Sequence, residues 1–149
     1  MKKDDYSSSL PPWVIIPFGG LLVLALCYIG YFAVYMLIES VFFPNAPTSV
    51  PAGIIRNSYT VVLLLLYFAL FRTKISDLIK AIIFIGPMTM LIIAVILAFY
   101  LTPVVAAVST AAIAVCCLFL LYRYKKPWIY YYAAAISVVV GIAYAWPRA

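Results

Sequence analysis

The sequence predicts an all-α, polytopic integral membrane bundle of five transmembrane helices. Three observations carry that reading: an extreme apolar composition, five apolar stretches, and basic residues confined to alternate connections. Of 149 residues, 68% are hydrophobic and 9% charged, against roughly 45–50% and 25% in soluble domains. That apolar surface exceeds what a water-facing fold of this size can cover, so lipid must cover it. A spanning helix takes about 20 residues, so five take about 100 and leave only short connections. The chain therefore divides into a polar N-terminal arm over 1–12 and a single five-helix transmembrane domain over 13–149.

Each element follows from local features. Pro11, Pro12 and Trp13 mark the interface after the arm. Span one covers 13–39, longer than the hydrocarbon core, so it tilts or projects. Lys2 and Lys3 resemble the start of a signal peptide. The apolar run behind them far exceeds an h-region of about 7–15 residues and lacks a small-x-small site, so the span is read as uncleaved. Residues 41–51 hold Pro44, Pro47 and Pro51 beside Phe42 and Phe43, which favours an interfacial loop over helix. Span two covers 51–71. Span three covers 78–101 and is interrupted by Gly86-Pro87, a static kink or a hinge. Span four follows a minimal Leu101-Thr102-Pro103 turn and covers 103–122, and span five covers 128–146 between aromatic belts at Trp128 to Tyr132 and at Tyr144 and Trp146.

Orientation comes from the charges. Lys2 and Lys3, then Arg72, Lys74 and Lys80, then Arg123, Lys125 and Lys126 alternate with connections that hold no Lys or Arg apart from Arg56 just beyond the first, and Arg148 lies next to the C-terminus. The positive-inside rule then gives a cytoplasmic N-terminus and an outward C-terminus, in the cytoplasmic (plasma) membrane. The net charge of +6 sits at span ends, not on one basic patch, which excludes nucleic acid as a partner. Phe71-Arg-Thr-Lys74 and Tyr122-Arg-Tyr-Lys125 echo each other, but any inward hairpin acquires basic ends.

Small residues at i, i+4 spacing mark packing faces: Ala106, Ala107, Ser109, Thr110, Ala111, Ala112 and Ala114 in span four, and Ala133, Ser137 and Gly141 in span five. They predict either that spans four and five pack together or that one faces a second subunit, in a homo-oligomer or a larger assembly.

Chemistry is bounded mostly by absences. There are no histidines, which removes His-based acid–base catalysis and His-ligated metals. Asp4, Asp5 and Asp77 lie outside the spans or at their edge, no Gly-rich phosphate loop is present, and no cofactor is implied. Cys27, Cys116 and Cys117 lie in apolar runs and read as inert thiols. Glu39 and Arg56 are the charged side chains nearest the outer boundary. An unpaired charge there costs on the order of a few kcal/mol, so the two are expected to pair. Asn57, Ser58, Tyr59 and Thr60 follow Arg56, and Tyr28, Tyr31 and Tyr35 form one helical stripe leading to Glu39.

The candidate ligand-binding residues are accordingly Glu39, Arg56, Asn57, Ser58, Tyr59, Tyr35 and Tyr31, reading an anionic lipid or amphipathic solute from the outward side. This favours a small non-enzymatic transport component or accessory subunit. The alternative is a membrane enzyme acting on a lipid or polyprenyl phosphate, with Arg56 as phosphate clamp and Glu39 as general base.

Overall fold

The computed structural model describes residues 10–42 and 51–146. Most of the polar arm, the proline-rich connection and Arg148 lie outside these residues. The described chain forms five helices in order: α1 (Pro12–Phe42), α2 (Ala52–Phe71), α3 (Asp77–Ala98), α4 (Pro103–Arg123) and α5 (Trp128–Ala145). All five are long and apolar enough to cross a bilayer, and the chain is a multi-pass membrane protein.

Proline chemistry sets several boundaries. α1 opens at Pro12 and α4 at Pro103, where a missing N–H costs nothing because first-turn donors have no helical acceptor. Pro17 inside α1 frees the carbonyl of Trp13, four residues back. Tyr132 of α5 donates its hydroxyl to that carbonyl at 3.3 Å, so the break in one helix becomes a tie to another. At about 1.5 Å per residue, the 31 residues of α1 extend about 46 Å, well beyond a hydrocarbon core of about 30 Å.

α3 is the axis of the bundle and packs against each of the other four helices. Its side chains are apolar on every side, the pattern of a helix surrounded by protein; Ile85, Met88, Ile92, Ile93 and Ile96 are all buried. Lipid tails give no hydrophobic drive for helix association, so close backbone approach must supply it. Four glycines do so, Gly19 of α1 against Ile82 being the first. Gly20 of α1 receives the side chain of Ile85, Gly141 of α5 receives Ile92, and Gly86 of α3 lies against Val23 and Cys27 of α1.

Two expectations take a more specific form in this packing. Spans four and five do contact each other as α4 and α5, but the small residues Ala133, Ser137 and Gly141 of α5 are buried mainly against α3, which supplies the branched Ile85 and Ile92 as knobs. On α4, Ala106 and Thr110 are buried while Ala107, Ala111 and Ala112 stay exposed. Gly86-Pro87 does not break α3, which runs as one α-helix past both residues. The buried Oγ1 of Thr89, just beyond them, has no hydrogen-bond partner among the described residues.

Candidate functional site

The site end of α1 and α2 is registered by one side chain. Tyr59 of α2 donates its hydroxyl to the carbonyl of Cys27 at 2.9 Å. Its ring meets Tyr31, with centroids 5.8 Å apart. Gly30 makes this possible, because a Cβ there would lie 2.5 Å from the Tyr59 oxygen. The two helices run in opposite directions, so Arg56, three residues before Tyr59, comes level with Tyr31. The guanidinium lies within electrostatic range of the Tyr31 hydroxyl, and Tyr31 in turn meets the ring of Tyr35 at 6.3 Å.

Arg56, Tyr31, Tyr35 and Tyr59 are therefore brought together, and Glu39 is not. Eight residues separate Tyr31 from Glu39, about 12 Å along the helix, whereas α2 extends only about 6 Å beyond Arg56 before it starts at Ala52. Among the described residues Arg56 and Glu39 form no ion pair. The expected pair fails because the Tyr59–Cys27 bond fixes a register two turns away from the one it needs.

Asn57 and Ser58 are not brought to this cluster either, and both are exposed. Successive helical residues turn through about 100°, so neighbours in sequence leave the face on which Arg56 sits. Residues at i+3 and i+4, Tyr59 and Thr60, share that face. Thr60 is buried and donates to the carbonyl of Arg56 at 2.9 Å. Helical spacing applied to α2, as it was to the tyrosines of α1, would have separated these residues.

The helix end beside Arg56 is positive. α2 has Pro51 as its N-cap, which offers no side-chain hydrogen bond, and no acid in its first turn, so the helix dipole turns its positive end toward this site. Arg56 adds a full charge one turn in. Its Nε is shielded and has no hydrogen-bond partner among the described residues.

A second polar centre, at the opposite end of the bundle, was read only as a set of topology markers. Lys80 is buried at 8% exposure and donates its ammonium to the carbonyls of Phe71 at 3.2 Å and Thr73 at 2.6 Å. It thus caps the C-terminus of α2, where a cation also meets the negative end of the helix dipole. Tyr130 of α5 donates to Asp77 Oδ1 at 3.0 Å, tying α5 to the start of α3.

Lys126 reaches back from the end of α4 to lie 4.1 Å from the ring centroid of Phe71, a cation–π distance. The chain turn that places it is a C-terminal cap: Lys125 adopts φ 47°, its N–H bonds Tyr122 O at 3.0 Å, and the N–H of Lys126 bonds Leu121 O at 3.1 Å. The sequence signal for this turn was Pro127 just past the helix end.

Among the described residues, no group of three His, Cys, Asp or Glu residues is placed to hold a metal ion. Comparison with protein-family models, curated proteins and solved structures finds no match to this chain. The functional reading therefore stands on the residues themselves.

Proposed function

We propose that this chain is a non-enzymatic multi-pass protein of the plasma membrane, a transport component or accessory subunit, that binds an anionic or amphipathic ligand at its Arg56 end. That end faces outward in this reading. The observation that carries it is the shielded Nε of Arg56, which has no hydrogen-bond partner among the described residues, one turn inside a helix N-terminus at which Pro51 offers no side-chain cap. A guanidinium in such a position calls for an acceptor, and intramembrane charges are by default functional. The rings of Tyr31, Tyr35 and Tyr59 supply an amphipathic wall next to it. The exposed Ala107, Ala111 and Ala112 face of α4 supports association with a second membrane chain or another copy. The enzymatic alternative placed Glu39 beside Arg56 as base, and the two-turn separation leaves that arrangement without support.

Native mass spectrometry after gentle extraction tests the proposal, followed by a turnover assay on whatever is retained. The expected result is an anionic ligand bound by the wild type, weakened about ten- to hundredfold in Arg56→Ala as charge-assisted hydrogen bonds are lost, and recovered chemically unchanged. Retention that is indifferent to Arg56→Ala, or conversion of the ligand, would overturn it.

A further inference from the structure

α2 and α4 both close on α3 rather than on each other, and the gap between them is a cleft of about 370 Å³. Its floor is Phe84, Met88 and Leu91 of α3, and its walls are α2 from Leu64 to Phe71 and α4 from Ile113 to Leu121. These stretches extend about 10 and 12 Å along their helices, most of the roughly 15 Å of hydrocarbon in one leaflet. The lining is almost wholly apolar until the basic end, where Tyr124 and Lys126 complete it. The volume lies at the small end of the range for ligand sites, suited to one hydrocarbon chain rather than a compact solute.

Charge distinguishes this cleft from an ordinary lipid-facing groove. Lys126 is held at its mouth by the Phe71 ring, itself a lining residue. Arg72, Lys74, Arg123 and Lys125 stand exposed at the same end. The carboxylate described there, Asp77, already accepts the Tyr130 hydroxyl. A chain entering the cleft would therefore bring its headgroup into a field that favours a phosphate with net negative charge.

We infer that the cleft binds an anionic membrane phospholipid of the leaflet at the basic end, one chain between α2 and α4 and the phosphate at Lys126. The site is separate from that of Arg56, which lies toward the other end of α2.

The test titrates the purified full-length chain in detergent with phosphatidylglycerol and phosphatidylcholine of identical chains, read by native mass spectrometry. The wild type should prefer phosphatidylglycerol by about fivefold or more, the scale of one basic residue at a lipid headgroup. Lys126→Gln should bring the preference close to unity. Lys74→Gln, which removes the same charge from the same end but outside the cleft lining, should keep most of it. Leu64→Trp, filling the cleft from α2, should weaken both lipids. Equal wild-type affinities, an unchanged preference in Lys126→Gln, or an unchanged adduct in Leu64→Trp would each overturn the proposal. So would a lipid-free dimer that Leu64→Trp dissociates, because the cleft would then hold a second copy of the chain.

Discussion

Replacing Gly141 by leucine should cost about 2–3 kcal/mol of stability. A Cβ at this position would lie 2.7 Å from Cγ2 and 3.0 Å from Cβ of Ile92. Ile92 is wholly buried, and its Cβ cannot swing aside as the end of a flexible side chain can. Overpacking of a well-packed core typically costs about 1–3 kcal/mol, and here it falls on the seam between α5 and the central helix. Gly53→Ala is the control, because nothing lies within 4 Å of its Cβ position. The control should be neutral or slightly stabilising, since alanine is the better helix former. Equilibrium unfolding in mixed micelles measures both. Equal tolerance of the two variants would mean that α5 does not sit against α3 at Gly141.

Lys80→Met should be comparably damaging, by about 2–3 kcal/mol. The variant removes an ammonium that donates to two carbonyls at the end of α2, and hydrogen bonds to charged groups contribute about 1.5–3 kcal/mol each. Part of that loss is offset because a buried charge no longer has to be desolvated. Lys80→Gln keeps a donor without the charge and should fall between the wild type and Lys80→Met. Unfolding of the three proteins under the same conditions gives the order, and a Lys80→Met protein as stable as the wild type would show that the α2 terminus is held by other means.

The five spans were legible because composition and proline are strong local signals in a membrane. The reading of 103–122 meets α4 at Pro103–Arg123, and 51–71 meets α2 at Ala52–Phe71. Span three was drawn too long, since the helix closes at Ala98 into a turn in which Thr102 N–H bonds Phe99 O at 2.9 Å. Helix order in space was not legible. Five apolar segments look alike to a hydropathy scale, and the choice of α3 as the axis depends on which isoleucine meets which glycine.

The candidate site was half legible for the same reason. Tyr31, Tyr35, Tyr59 and Arg56 were found from residue type and spacing, but the position of Glu39 depended on a register set by Tyr59 and Cys27, 32 residues apart. Lys80 was legible as a positive charge and not as a cap, because its acceptors, Phe71 O and Thr73 O, lie at the end of α2 and in the turn behind it.

Sidedness is the claim on which the outward site and the lipid cleft of the opposite leaflet both stand. Cysteine accessibility in intact cells tests it most directly, with Cys27, Cys116 and Cys117 replaced by alanine and single cysteines introduced as Thr73→Cys or Leu101→Cys. Thr73 lies between α2 and α3, and Leu101, 93% exposed, between α3 and α4. Alternating basic connections predict that a membrane-impermeant maleimide labels the Leu101→Cys protein from outside and the Thr73→Cys protein only after permeabilisation. Labelling of both from the same side would contradict a membrane-crossing α3, and labelling of Thr73→Cys alone from outside would reverse the orientation.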